Sequence, residues 1–516
     1  MKKELKFSAY DEYLSVVKSI THSFISLFLF VLPLVITNAY YDITETKLFA
    51  FYILSGLYIV IQLFLFLFFS ISKKRDFLKS LNFKINFVDV AFILFGLSYI
   101  ISAALSDFGS KDVVFGIGSR YQGVLTILLY VVVYFILTRT FSFSPKCIMW
   151  AGIGFSVVCI IAVLNGFSID PLGIYLELSG DNKEHYVSTI GNINFYSAYC
   201  NILLPSIVVG YCKATDVKTS VVFGAFVVCG ALGIPFTASE SFLLGFLVAM
   251  LLLFSFFMTD KKALKRFIGT CCLFLLTMVS YTKLYNSGLI MDTLHFEPSA
   301  LMNLISNPII VGVLVIAFVF VFVVACKKPN LLHKIKKVYS VLLVIFFVLG
   351  LVGIILINSA LKEVDLGEFN RYLKFSDNWG TWRGRNWAFC IKTFAEAPLV
   401  QKLFGFGPET YYHLTDKTSF YISKSLDQAH NEYLHYLISA GLFGLVSYLC
   451  ILAGTVKKCI GKLNSNSVAM SILCGLVAYW IQAVVNIAQP FTTPIMFLFI
   501  AILSKISTIN SVEIEK

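Results

Sequence analysis

At 516 residues, 58% of them hydrophobic, only 14% charged and 50 of them phenylalanine, the chain carries more apolar surface than soluble domains of ordinary size can hide. That excludes a water-soluble globular enzyme and points to an all-α polytopic membrane protein. The net charge of +12 lies scattered over short segments between apolar runs rather than on one face with stacking aromatics, which argues against a nucleic-acid partner.

Runs of about 17 to 25 apolar residues cross roughly 30 Å of hydrocarbon as helices. Fourteen such stretches occur: 20–38, 48–71, 86–105, 121–138, 148–166, 194–212, 219–236, 239–258, 267–284, 308–326, 338–359, 431–456, 467–487 and 491–508. Lys and Arg are retained on the cytoplasmic side of a membrane more strongly than acids are. With the amino terminus inside, the inner segments hold 27 Lys and Arg against 9 Asp and Glu, leaving 14 against 20 outside from totals of 41 and 29. The expected organisation is a cytoplasmic amino-terminal segment 1–19, eleven transmembrane helices over 20–359, a large extracytoplasmic loop 360–430, three further helices over 431–508 and a cytoplasmic tail 509–516. The first apolar run is followed by no small-x-small cleavage site and is expected to stay as a helix. Cys390 has no partner in its outer loop, so no structural disulfide is expected.

Lys2, Lys3, Lys6 and Lys18 mark the amino-terminal segment as an amphipathic lead against anionic headgroups or a solvated tail. The first outer loop carries Asp42 and Glu45, ordinary for an exposed loop and only weakly suggestive of catalysis. Between the third and fourth stretches, Gly116-Ile117-Gly118-Ser119-Arg120-Tyr121-Gln122-Gly123 sets Arg120 at the entrance of an apolar run. There its guanidinium can grip phosphate oxygens with two parallel hydrogen bonds or simply snorkel to lipid phosphate. The acidic loop 167–193 ends in Gly191-Asn192-Ile193-Asn194-Phe195, where Asn192 and Asn194 can cap the next helix or contact a sugar. In the short turn Thr237-Ala238-Ser239-Glu240-Ser241, Ser239 suits a cap, and Glu240 suits the positive end of a helix dipole or a sugar hydroxyl. Asp292, His295 and Glu297 fall in an outer loop with no repeated ligand spacing, so no metal site is expected.

The segment 360–430 is the one long enough for structure outside the bilayer. Trp379-Gly380-Thr381-Trp382-Arg383-Gly384-Arg385-Asn386-Trp387 puts Arg383 and Arg385 among tryptophans, fit either to anchor the loop at the interface or to meet a departing pyrophosphate. From Trp387, Ile391 and Phe394 recur at helical spacing up to Pro398, which predicts an amphipathic helix lying on the membrane. Phe404-Gly405-Phe406-Gly407-Pro408-Glu409-Thr410 then turns back toward Gln428-Ala429-His430-Asn431-Glu432-Tyr433-Leu434 at the mouth of the twelfth stretch. A titratable cluster at such a position is costly to keep unless it is used. The pattern is not a zinc-protease motif, since His430 and His435 are five apart and diverge by about 140° on a helix. No phosphate-binding glycine loop or paired cysteine ligands occur.

Together, Ser119 to Gly123, Gly191 to Asn194, Arg383 four residues before Trp387, Phe404 to Pro408 and His430 to Leu434 with Gly441 to Leu445 resemble the O-antigen ligase and O-antigen polymerase family of bacterial membrane glycosyltransferases. The resemblance implies an all-helical fold of the lipid-dependent glycosyltransferase type, in the cytoplasmic (inner) membrane with both termini cytoplasmic. It implies a polyprenyl-diphosphate-linked glycan as donor, a glycan, lipid or wall-polymer acceptor, and no cofactor, metal or nucleotide. By matching position, Arg120 and Arg383 would bind the diphosphate and His430 would be catalytic; Arg385 is a further diphosphate candidate and Glu432 a further catalytic one. Asn192, Asn194, Glu240, Trp387 and Asn431 would contact sugar or acceptor. The sequence departs at Ser239-Glu240-Ser241, where the family often places an arginine after serine. The rival expectation is a transporter or flippase for lipid-linked glycans, which would place charges or broken helices near the midplane.

Overall fold

The computed structural model describes residues 9–72, 77, 84–116, 120–142, 144–175, 183, 185–288, 296–416 and 428–506. Asp292, His295, Ser119, Gly118 and the 417–427 part of the large loop lie outside these residues. Helices α1 (Ala9–Leu34), α2 (Ile43–Ser72), α3 (Phe87–Ala104), α4 (Val124–Thr140) and α5 (Pro145–Gly166) open the chain. They are followed by α6 (Ile193–Lys213), α7 (Val217–Gly233), α8 (Glu240–Phe257), α9 (Lys261–Asn286), α10 (Pro308–Lys327) and α11 (Pro329–Ile357). After α12 (Trp379–Glu396) come α13 (Glu432–Cys459), α14 (Ser467–Gln482) and α15 (Thr492–Ile506). Among the described residues, eleven helices are long and apolar enough to cross a membrane, and α4, α14 and α15 are shorter apolar helices. Each predicted stretch falls on one of these helices. Among the described residues the fold is all-helical apart from a two-stranded pairing of β1 (Tyr186–Val187) with β2 (Gly191–Asn192).

Burial sorts the helices. Without a hydrophobic drive between helices in lipid, close packing and interhelical hydrogen bonds hold a bundle together. The least apolar of the eleven, α6, is also the most buried, and it carries the polar groups that pair across helices. Asn201 donates to Gln482 Oε1 at 2.8 Å, and the hydroxyls of Ser206 and Ser471 each donate to the other's carbonyl. By contrast α10 and α11 are the most apolar of the eleven and the least buried, as lipid-facing helices would be.

Three local features differ from the sequence expectation. Helix α1 runs straight through residue 20, because Tyr13 and Val17 bury against Phe69 and Phe77, with the Tyr13 ring 5.1 Å from that of Phe77. Residues 9–19 are thus the first turns of the helix rather than a separate lead. Helix α14 stops at Gln482 although the apolar run continues to 487, since Pro490 and the polar Asn486 and Gln489 favour a non-helical segment 483–491. Ser239 precedes α8 without capping it; its hydroxyl donates to Asn194 Oδ1 at 3.3 Å and lies 2.7 Å from that of Ser241.

Buried Lys47 closes the end of α1. Its Nζ donates to the carbonyls of Leu32, Pro33 and Val35 at 2.9 to 3.1 Å, groups a helix end leaves without partners.

Candidate active site

Two glycines shape the wall of the site. Gly441 interrupts α13 at φ +66°, and Gly405 turns at φ +80° after the short helix Leu399–Phe404. At the break the two backbones touch: Phe406 N–H donates to Ile438 O at 2.9 Å and Gly407 N–H to Ser439 O at 3.2 Å. A Cβ on Gly441 would sit 2.4 Å from the Leu403 backbone, and one on Gly405 2.4 Å from Ser439 O. Only glycine tolerates both the left-handed conformation and that approach. Ser102 in the last turn of α3 and Ser106 just after it donate to Ser439 O and Phe406 O, locking a third segment to the junction.

Immediately before α13, His430 adopts φ +50° and is half-buried. Asn431 caps the helix, its Oδ1 accepting from the N–H groups of Tyr433 and Leu434. The Glu432 carboxylate points into the bundle and is 1% exposed. Its Oε1 accepts from the Tyr436 hydroxyl at 2.8 Å and that of Tyr448 at 3.3 Å, and its Oε2 from Tyr479 at 3.2 Å. A second buried acid has a different set of partners. Glu409, at φ +57°, has Oε1 3.3 Å from His435 Nε2, while Gln428 Nε2 donates to both of its oxygens at 3.3 Å. His413 joins Asp112 at 3.0 Å, drawing the loop that leads to Arg120 to the same side.

The arginines reach a single irregular segment from different directions. Arg383 Nε donates to Val485 O at 2.9 Å and its Nη1 to Gly380 O at 2.7 Å. Burial holds the Arg383 guanidinium below its ordinary value, and the Glu240 carboxylate opposes that by favouring the charged form. Glu432 N–H donates to Ala483 O at 2.9 Å, and Asn486 Nδ2 to Asn194 O at 3.2 Å. The Arg120 guanidinium stands 5.2 Å from the centre of the Phe195 ring, which lies 6.0 Å from that of Phe491. Segment 483–491 therefore touches the start of α13, Arg383 and Asn194, and meets Arg120 through one phenylalanine.

Other expected site residues go elsewhere. Arg385 Nε lies 4.0 Å from the Asp377 carboxylate, and its guanidinium stacks 5.0 Å from Trp382. Trp387 packs with Phe375 and Trp379, ring centres 5.7 and 5.1 Å away. Asn192 Oδ1 accepts from Asn194 N–H, the capping role. Glu240 is exposed at the first turn of α8, within electrostatic reach of Arg383.

Sequence reasoning missed Glu409, Gln428, His435 and segment 483–491. The signal was there for the pair: Glu409 ends the glycine-rich turn, and His435 sits four residues before Ser439 on the face of α13 that the turn meets.

Residues 299–449 match the family model described as O-antigen ligase. These residues form an O-antigen ligase domain. The matched domain runs from the short helix after α9 to the middle of α13 and holds Arg383, Glu409, His430, Glu432 and His435. Arg120, Asn194, Glu240 and segment 483–491 lie outside it and complete the surroundings of the O-antigen ligase domain. No curated protein matches the sequence. With its apolar helices, the domain makes this a multi-pass bacterial membrane protein that acts in glycan transfer.

Proposed function

We propose that the protein is a membrane glycosyltransferase that moves a glycan from a polyprenyl-diphosphate carrier to an acceptor hydroxyl at the outer face of the cytoplasmic membrane. In this reading fourteen helices span the bilayer, both termini are cytoplasmic, and 360–430 is the large extracytoplasmic loop. The carrying observation is the gathering of Arg383, Asn194, the Arg120–Phe195 pair and the start of α13 around segment 483–491.

In the transfer, the acceptor oxygen bonds to the anomeric carbon as the bond from that carbon to the diphosphate oxygen breaks. The diphosphate leaves with the bonding electrons, and its growing charge needs fixed cations in a low-dielectric setting. Arg383 and Arg120 suit this task because a guanidinium stays charged there. His430 takes the acceptor proton. Neutral imidazole is the form that can accept one. Glu432 has both oxygens occupied by tyrosine hydroxyls, so in this reading it fixes the start of α13 rather than touching substrate. Arg385, paired with Asp377, orients the tryptophan segment, and Glu240 tempers the charge of Arg383.

The test is the glycan profile of cells carrying His430→Ala at normal membrane levels. Loss of the finished glycan is the expected result, with single repeat units indicating a polymerase and long chains stranded on the carrier indicating a ligase. Normal finished glycan in that variant would remove His430 from the chemistry.

A further inference from the structure

Helices α13 and α15 both begin beside segment 483–491, and their far ends form a second distinct region at the opposite end of the bundle. There Lys505 of α15 lies within electrostatic reach of Lys18 of α1, Arg139 at the end of α4 and Lys458 at the end of α13. All four are half-buried. Arg139 is engaged by the buried Asp89 carboxylate, its Nη2 at 2.9 Å from Oδ2 and its Nη1 at 3.2 Å from Oδ1. Asp89 also accepts from Tyr134 and from Asn86. Like charges drawn this close repel one another, and an anion set among them relieves that repulsion.

An apolar crevice opens further along α1 and α15 from these cations, which do not themselves line it. It holds about 620 Å³ of empty space, its open mouth included, and is lined by Ile25, Leu29, Phe141, Cys147, Phe499 and Ile502 among others. Lys18, His22, Ile25 and Leu29 follow one another at helical spacing on one face of α1, so the cation leads directly into the lining. Phe499, Ile502 and Lys505 do the same on α15. His22 Nε2 is 2.8 Å from Ser142 O, which fixes the turn between α4 and α5 beside this face. A charged rim over an apolar slot matches an amphiphile with an anionic head, not a free ion.

We propose that this end of the bundle binds one anionic phospholipid, its phosphate among Lys18, Lys458 and Lys505 and one acyl chain in the crevice. The site is separate from the glycan chemistry and does not depend on it. Each lysine near an anionic lipid strengthens binding about fivefold, so losing two lowers affinity by more than about tenfold.

The experiment uses the purified full chain in neutral detergent, with bound lipid counted by native mass spectrometry and melting followed in parallel. Phosphatidylglycerol is expected to remain bound and raise the melting temperature, while phosphatidylcholine and soluble glycerol phosphate do neither. Lys18→Gln with Lys505→Gln is expected to lose that retention while melting normally in detergent alone. Equal retention of the two lipids, unchanged phosphatidylglycerol binding in the double variant, or full stabilisation by glycerol phosphate overturns the proposal. Should the double variant fail to fold, the comparison of the two lipids on the unaltered chain decides the matter.

Discussion

His435 Nε2 stands 3.3 Å from Glu409 Oε1, and both side chains are buried within the wall that carries His430. Gln428, two residues before His430, donates to the same carboxylate, so the acid ties the left-handed approach to α13 onto the body of the helix. Removing one partner of such a pair leaves a buried polar group uncompensated, a loss of roughly 3 kcal/mol or more. Glu409→Ala is expected to melt several degrees lower and lose glycan transfer. Glu409→Gln, which keeps an acceptor for Gln428, is expected to lose less of both. Equal melting of the alanine variant and the parent would show that the pair holds nothing.

The tyrosine cage of Glu432 makes a separable forecast. Tyr479 is shared between Glu432 Oε2 and the Thr493 hydroxyl, 2.9 Å away on α15, so it links α13, α14 and α15. Tyr479→Phe strips Oε2 of its hydroxyl donor at a cost of about 1 to 3 kcal/mol. Glu432→Gln is expected to soften that cost, because a neutral amide tolerates the missing donor better than a carboxylate. A double-mutant cycle on melting measures this coupling, which is zero if the two residues act independently.

Gly405 and Gly441 face each other across the junction of the turn and α13, and each leaves room for the other's backbone. Gly441→Ala puts a Cβ where Leu403 backbone atoms already are, in a conformation that L residues rarely adopt. The junction must open, at a cost beyond the ~1 kcal/mol of an ordinary glycine replacement. Since either replacement opens the same junction, combining it with Gly405→Ala is expected to cost less than the two losses added. Strict additivity in thermal melting would mean the contact is not shared.

Lys47 offers a test of the fold beside the site, since its Nζ also stands 5.5 Å from the centre of the Phe491 ring. In Lys47→Met, which fills the space but donates nothing, the Leu32 and Val35 carbonyls lose their donor while Pro33 O keeps the Thr189 hydroxyl at 2.8 Å. With about 1 to 3 kcal/mol per stranded group as the scale, a clear fall in melting temperature is expected. An unchanged melting temperature would show that water reaches the end of α1.

Much of the fold was legible because the bilayer makes apolar length a direct readout of helices, and the charge pattern is equally open to inspection. Residues 308–326 illustrate this: they form the most apolar of the eleven helices, and that helix is among the least buried. The motif glycines were legible too, but not their partnership. Nothing in Phe404 to Pro408 announces that Gly405 presses on Ser439, because that contact joins two segments through a break in a helix that hydropathy reads as continuous. The same blindness hid segment 483–491, whose apolar residues extend the run of α14 while Pro490 ends it. Glu409 and His435 were overlooked for another reason: an acid in a turn and a histidine on a helix acquire meaning only when burial sets them side by side.

Arg383 makes the sharpest distinction between charge and geometry. One side of its guanidinium donates to Val485 O and the other to Gly380 O, a fork that spans segment 483–491 and the left-handed stretch Gly380 to Trp382. Lysine keeps the positive charge but concentrates it in one ammonium group that cannot hold both carbonyls in this geometry. If charge alone serves the departing diphosphate, Arg383→Lys should transfer glycan nearly as well as the parent. If the fork positions the charge, the variant should fall by about 10² to 10³, the scale seen when one preorganised donor is lost at a developing negative charge. The second outcome is expected, because the two hydrogen bonds fix where the charge sits. The measurement is the initial rate of glycan transfer from a lipid-linked donor by purified Arg383→Lys and Arg383→Ala. Matching losses in the two variants support positioning, whereas a lysine variant close to the parent rate leaves only its charge to account for Arg383.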